Sequence, residues 1–325
     1  MLENFPWMNK VLSFAALLAL NLWPASLAAQ SMPDARLAHS RQPALMTAQD
    51  PQSSQNKVVI ETKLVSLNIS VTDQFGRFVV GLEKDDFAVY DDGIQQEVAF
   101  FATDDSPISM AIVYDVSTST SSHSQRLIAL LRQFFENTQM ADEFCVIAFN
   151  KQPQLVRDFT SVPEEIINRT VFIKPKGSTA LFDATRMAIE KVRQGRHPKK
   201  VVLILSDGEE NSSRYSGREI MNLIRESDVQ IHAIGVIGQF GTGPGTLRYL
   251  TEPTGGQVYF PVNDLSAELT YERLALILRR QYALGYYPNN LTAGSKWHDV
   301  RLKLNAPEQL GRLKLGFKNG YWVTR

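Results

Sequence analysis

The stretch SMAIVYDVSTSTSSH, residues 109–123, decides the fold. Its first seven residues form a short, continuously apolar run ending on Asp115. A run that short, apolar on both faces, reads as a buried strand. After the serines and threonines come Leu127, Leu130, Leu131, Phe134 and Phe135. They fall at i, i+3, i+4, i+7 and i+8, one apolar stripe of a helix. The couplet recurs downstream. FCVIAF (144–149), PQLVRDFT (153–160), KVVLILSDG (200–208), QIHAIGV (230–236) and QVYF (257–260) read as strands. Leu181, Ala184, Ala188, Ile189 and Val192 mark a helix, as do GREIMNLIRESD (217–228) and TLRYLTEPTGG (246–256), the last with a glycine stop. Buried strands alternating with amphipathic helices define an α/β class domain with a doubly wound, mostly parallel sheet, expected over residues 106–280.

Outward from that region the period changes. LVSLNISVTD (64–73), GRFVV (76–80), DFAVYDDG (86–93) and QEVAFF (96–101) are strand-like, with Asp-Gln-Phe-Gly and Asp-Asp-Gly supplying turns. Beyond the last helix, which holds Leu269, Leu274 and Ile277, YALGYYP (282–288), HDVRLKLN (298–305), GRLKLGF (311–317) and YWVTR (321–325) are strand-like again. Neither the segment 58–105 nor the segment 281–325 has enough strands to cover its own apolar face. The two are therefore expected to form one β-sandwich into which the α/β domain is inserted. A separate C-terminal hairpin packed on the α/β domain is the alternative.

The chain has 325 residues, a length that suits about two domains. Its 34 Lys+Arg balance 34 Asp+Glu, which argues against a nucleic-acid partner. Cys145 is the single cysteine, so neither an intramolecular disulfide nor a cysteine zinc cluster can form. The five histidines, His39, His123, His197, His232 and His298, make no HExxH pair, and no GxSxG occurs. At the N-terminus Lys10 precedes an apolar run, Val11–Trp23, and then small residues through Ala29. That order predicts a secretory signal over residues 1–29, and the apolar run is shorter than the ~20 residues that span a bilayer. A retained anchor is the alternative; with cleavage, no integral membrane span remains. Residues 30–57 are polar and unpatterned and read as a disordered tether. The expected location is secreted or periplasmic.

Ligands of a doubly wound sheet bind at the carboxyl ends of its strands, near the point where strand order reverses. Asp115 closes one strand and opens D-x-S-x-S with Ser117 and Ser119; Asp207 closes another in LILSDGEE; Thr179 lies in KGSTALFDA, a loop entering a helix. If these ends are neighbours, two carboxylates and three hydroxyls converge. Such hard oxygen ligands suit Mg²⁺, with Mn²⁺ or Ca²⁺ possible, and not a soft metal.

This set, in this order and at these strand ends, resembles the metal-ion-dependent adhesion site of von Willebrand factor A (VWA) domains, over roughly residues 106–280. The flanking VSLNISVTDQFGRFVVGLEKDDFAVYDDG and YALGYYP…WHDVRLKL are similar to those of a bacterial subfamily of exported VWA-related proteins. The resemblance implies a metal held by Asp115, Ser117, Ser119, Thr179 and Asp207, directly or through water. It also implies a protein or surface ligand whose carboxylate completes the shell, in a binding module and not an enzyme. Some relatives carry acidic residues after D-x-S-x-S that build a second cation site. Here Thr120-Ser121-Ser122-His123 stands there, and no second ion is expected.

Two rival readings remain. In one, the ion activates water for hydrolysis, which needs a general base, and only His123 offers itself. In the other, the chain is a structural subunit of an envelope complex. Among neighbouring residues, Asp183 is expected to bond the adjacent loop or back up the ligands, and Glu209 and Glu210 to rim the site. FGTGPG (240–245) lacks the Gly-Lys-Ser/Thr of a phosphate loop and reads as a flexible rim. Asp85, Asp86, Asp91 and Asp92 lack a calcium-loop pattern and read as turn chemistry.

Overall fold

The computed structural model describes residues 64–116, 124–170, 177–235, 243–289, 296–305 and 310–323. The signal at 1–29, the tether at 30–57, Ser117, Ser119 and the run 120–123 lie outside the described residues. Everything described belongs to one compact unit, Val59–Arg325.

Eight strands flank an inserted α/β domain. On the N-terminal side these are β1 (Val65–Thr72), β2 (Phe87–Asp91), β3 (Ile94–Gln96) and β4 (Val98–Asp104). The domain contributes β5 (Ile108–Asp115), α1 (Ser124–Glu136), β6 (Glu143–Phe149), β7 (Pro153–Thr160), α2 (Pro163–Thr170), α3 (Leu181–Val192) and β8 (Lys199–Ser206). It continues with α4 (Gly217–Glu226), β9 (Val229–Gly235), α5 (Gly243–Thr251), β10 (Val258–Tyr259) and α6 (Asp264–Arg279). The chain returns through β11 (Gln281–Tyr286), β12 (Lys296–Leu304), β13 (Lys314–Gly316) and β14 (Gly320–Val323).

The central sheet has six strands in the order β10-β9-β8-β5-β6-β7. Its pairings are parallel except at the β7 edge, which runs antiparallel to β6. Every residue of β5, β6 and β9 is buried, because helices cover both faces. Leu181, Ala188 and Ile189 of α3, Ile220 and Ile224 of α4 and Leu247 and Leu250 of α5 fill one side. Leu131 and Phe134 of α1, Ile166 of α2 and Tyr271, Leu274 and Leu278 of α6 fill the other. From β5 the chain winds outward to β6 and β7, then crosses back to lay β8 on the opposite flank of β5. The order therefore reverses between β5 and β8. Their following helices, α1 and α4, leave toward opposite faces, which opens a crevice between the two strand ends.

The flanking strands form two four-stranded sheets, β13-β1-β11-β4 and β14-β12-β2-β3. Each mixes N- and C-terminal strands: Val65 pairs with Tyr286 in one, and Tyr90 with Arg301 in the other. Leu67, Ile69, Val89, Tyr282, Leu284 and Val300 share one core between them. This is the single sandwich, not the separate hairpin. GRFVV falls short of a strand; Phe78 makes only an isolated bridge to Thr72. Asp104 and Gln281 are register partners, so the α/β domain leaves and re-enters the sandwich at one point. There Lys199, at the start of β8, reaches the Asp104 carboxylate at 3.2 Å and the carbonyl oxygens of Asp104 and Leu278 at 3.3 and 3.4 Å. Burial lowers the Lys199 pKa, against the pull of Asp104.

Candidate functional site

Asp115 is fully buried at the end of β5, and Asp207, 6% exposed, follows the end of β8. Because these strands are parallel neighbours, Tyr114 lies opposite Leu205 and the two ends come level. Ser206 ties them: its Oγ donates to Asp115 Oδ2 at 2.7 Å and accepts the Gly208 N–H at 3.0 Å. The Asp207 carboxylate accepts the Glu209 N–H at 3.0 Å, the local turn that Asp side chains favour.

Thr179 arrives from a third segment. Helix α3 packs on β5, β6 and β8 and runs back toward the start of β8, so its N-terminus lies at the sheet edge that holds Asp115 and Asp207. The Thr179 N–H donates to Asn211 Oδ1 at 2.8 Å, while its carbonyl oxygen accepts the N–H groups of Asn211 and Ser212 at 3.0 and 3.2 Å. The Ala180 N–H donates to the Asn150 carbonyl, just past β6, at 2.7 Å. Thr179 is thereby fastened to the loop that begins at Asp207. The described part of the site holds three oxygen-bearing side chains, all less than a tenth exposed, and no soft donor among them. That donor chemistry fits a hard divalent cation. Ser117 and Ser119, the remaining members of the set, lie outside the described residues.

The loop after β8 does more than rim the site. Ala180, at the N-cap of α3, makes no side-chain cap. Instead the Phe182 N–H donates to Glu210 Oε2 at 2.8 Å and the Asp183 N–H to Ser213 Oγ at 3.1 Å. Glu210 also accepts from the N–H groups of Ser212 and Ser213. An acidic group here satisfies orphan donors and complements the helix dipole. Glu210 is a cap, then, whereas Glu209 is solvent-exposed. Asp183, 4% exposed, accepts the Arg214 and Tyr215 N–H groups at 3.0 and 3.2 Å and meets Arg214 Nε at 3.2 Å. Of its two expected roles it takes the loop-bonding one.

Two glycines set the approach of α5. Gly208 has φ +83°, and a Cβ there would meet the Gly243 carbonyl oxygen at 2.3 Å. A Cβ on Gly243 would lie 2.0 Å from the Asp207 carbonyl oxygen. Within FGTGPG, Gly243-Pro244-Gly245 thus open a helix against the Asp207 backbone and do not form a flexible rim; residues 240–242 lie outside the described residues. Sequence reasoning missed Ser206, Asn211 and this glycine pair. The only signal for the first two was position, Ser206 within LILSDGEE and Asn211 directly after it.

A second cluster lies in the sandwich. Asp91, Asp92 and His298 offer ligand atoms within 4.8 Å of one another. Asp91 is fully buried, so the turn reading fails for it. Its Oδ2 accepts from Tyr286 Oη at 3.0 Å and Tyr321 Oη at 2.7 Å, and its Oδ1 lies 3.1 Å from His298 Nδ1. Both oxygens are engaged in a polar clasp joining strands from both ends of the chain. Asp92, with φ 49°, is a turn residue, and Asp86 accepts the Glu83 N–H in a short 3₁₀ turn.

The sheet is doubly wound, with buried carboxylates at its reversal point and a threonine loop fastened beside them. Residues 110–210, which contain Asp115, Thr179 and Asp207, match the family model described as von Willebrand factor type A domain. The chain therefore carries a VWA domain over these residues. Similar solved structures include the conserved hypothetical protein BatB from Bacteroides thetaiotaomicron, 14% identical with TM-score 0.43, over 52% of this chain and 98% of that one. Proximal thread matrix protein 1 from the mussel byssus, with a zinc-occupied MIDAS motif, is 19% identical with TM-score 0.48, over 57% of this chain and 49% of that one, so the match spans about half of the mussel protein. The von Willebrand factor type A protein from Catenulispora acidiphila is 10% identical with TM-score 0.47, over 81% and 74%. No curated protein gives a significant match. Among the described residues no helix is long and apolar enough to cross a membrane.

Proposed function

We propose that the chain is an exported, Mg²⁺-dependent binding module. In it Asp115, Ser117, Ser119, Thr179 and Asp207 hold the ion, and the partner is a protein or surface ligand offering a carboxylate. The observation that carries this reading is the convergence of three segments on the β5/β8 crevice, with Ser206 bonded to Asp115 and Asn211 fastened to Thr179. When bound there, a divalent ion supplies a Lewis-acidic vertex that an incoming carboxylate can ligate. The chain's own residues do the rest. Ser206 fixes the rotamer of Asp115, and the Asn211 amide fixes the Thr179 loop.

A binding role, not hydrolysis, is favoured by the commitments of nearby acidic groups. Glu210 is spent on capping α3 and Asp183 on the Arg214 loop, so neither is poised to take a proton from water. His123 lies outside the described residues. Calorimetric titration of Mg²⁺ into wild type, Asp115→Asn and Thr179→Ala tests the assignment. Both variants keep the backbone contacts that position the site. Saturable binding should weaken by at least roughly tenfold in each, about 1.4 kcal/mol or more. Undiminished affinity in both variants, with melting curves intact, overturns the site.

A further inference from the structure

A groove of about 590 Å³, with none of the proposed metal ligands among its described lining residues, lies between α4, α5 and the loop entering β14. Its walls carry Arg218, Arg225 and Arg248 against a single carboxylate, Glu252, with Tyr249 and Asn319 among the other lining residues. We propose that this groove is a docking site for an acidic peptide segment of a partner protein, independent of the metal.

The arginines are the first reason. Arg157, Arg186, Arg196 and Arg214 of the same domain each pair with a carboxylate. Arg218, Arg225 and Arg248 converge on one groove and, among the described residues, make no ion pair with any acidic side chain. Two of them are held by aromatic rings: Arg225 Cζ lies 5.5 Å from the Trp297 ring centroid and Arg248 Cζ 5.6 Å from that of Phe260. Stacking of this kind orders a guanidinium while leaving its N–H fork free to take a carboxylate.

The walls are the second reason. Arg218, Met221, Asn222 and Arg225 are spaced i, i+3, i+4 and i+7 and share one face of α4. That helix starts on a capping box, Ser216 with Glu219. Tyr249 Oη donates to the Gly217 carbonyl at 2.8 Å and locks α5 to the first turn of α4. Lys318, beside Asn319, donates to the Ser227 carbonyl at 2.7 Å and meets Asp228 at 3.0 Å, which anchors the sandwich loop to the other end of α4. The groove is thus assembled from the VWA domain and the sandwich together, and these contacts fix its backbone walls, which lowers the ordering cost of binding.

The chemistry of the lining selects the class of ligand. Guanidinium forks match carboxylates bidentately. The Asn222 and Asn319 amides can bond a peptide backbone, and Met221, Tyr249 and Pro253 offer apolar contact. Glu252 repels a uniformly anionic polymer but tolerates a peptide with a neutral or basic residue at that point.

The test is fluorescence anisotropy of a labelled peptide of glutamates interspersed with neutral residues, with the full chain in EDTA, so that a failure of the metal site cannot produce or abolish the signal. Saturable binding should weaken with added salt, fall roughly tenfold or more in Arg218→Glu/Arg225→Glu, and tighten in Glu252→Gln. Arg225→Gln/Arg248→Gln, which removes charge without reversing it, should show an intermediate loss, and melting curves of all variants verify folding. Asp115→Asn should leave peptide affinity unchanged. Equal affinity for wild type and both double variants overturns the proposal. So does a tenfold preference for a sulfated polysaccharide over the peptide.

Discussion

His232 shows how much of this protein's behaviour rests on single buried groups. It is fully buried in β9, and its Nδ1 accepts the Gln257 N–H at 3.2 Å, which places the proton of the neutral ring on Nε2. Burial drives its pKa from 6.5 down to about 3. The unfolded chain therefore binds more protons than the folded one between those values. The stability this provides is complete above about pH 6.5 and is lost as pH falls toward 3, at about 1.4 kcal/mol per pH unit. Denaturant melts at neutral and mildly acidic pH should show a shallower acid loss in His232→Gln than in wild type, although that variant starts less stable; parallel losses would contradict the assignment. Cys145, also fully buried, has its thiol pushed up to about 12 by burial. Thiol-reactive dye should leave it untouched in the native protein at mildly alkaline pH and label it once in guanidinium; rapid native labelling would be the contrary result. The inertness of Cys145 was legible from FCVIAF alone. Neither the proton on His232 nor the burial of Asp91 was, because both depend on neighbours many residues away: Gln257 for one, and Tyr286, His298 and Tyr321 for the other.

At the scale of elements, legibility follows the same division. The strands and helices of the α/β domain could be read from periodicity, because each buries its own apolar pattern whatever it packs against. The positions of Asp115, Thr179 and Asp207 at strand and helix ends came with them. What could not be read is how the ends are held level, since Ser206, Asn211 and Glu210 act across segment boundaries; the bond from Thr179 to Asn211 spans 32 residues. The approach of α5 is the sharpest case. Its first residue, Gly243, lies so close to the Asp207 backbone that a methyl group cannot enter without moving one of them. Gly243→Ala should cost about 1–3 kcal/mol and weaken the proposed Mg²⁺ binding through displacement of Asp207. Gly245→Ala, two residues along the same helix and with nothing within 4 Å of its added Cβ, should be neutral or slightly stabilising, by up to about 1 kcal/mol. Chemical denaturation with parallel calorimetry checks the pair. Equal effects would mean that helix propensity, not the contact with Asp207, governs this junction.

Across the whole molecule, the two parts differ in how their cores are supplied. The α/β domain draws all of its apolar clusters from residues 108–278. The sandwich draws one core from both chain ends, and β11 lies between β1 and β4 with hydrogen bonds to each. Removal of everything beyond Arg280 therefore does unequal damage. It strips β1 and β4 of the strand that joins them, strips β2 of β12, and leaves Leu67, Ile69 and Val89 without Tyr282, Leu284 and Val300. Two remaining edges with unpaired backbone and an uncovered apolar face do not make a stable sheet. Limited proteolysis of this truncated chain should cleave residues 64–104 quickly while the inserted domain survives with a cooperative melt. Lys199 supplies a further expectation, because its partner Asp104 belongs to the segment that frays. Its side chain, only 3% exposed in the intact protein, would lose the carboxylate that offsets the cost of its burial. The surviving domain should thus melt lower than in the intact chain, and Lys199→Met should restore part of the difference, since it removes the stranded charge. N-terminal strands that stay protected after truncation would show that the sandwich halves are independent, contrary to their shared core.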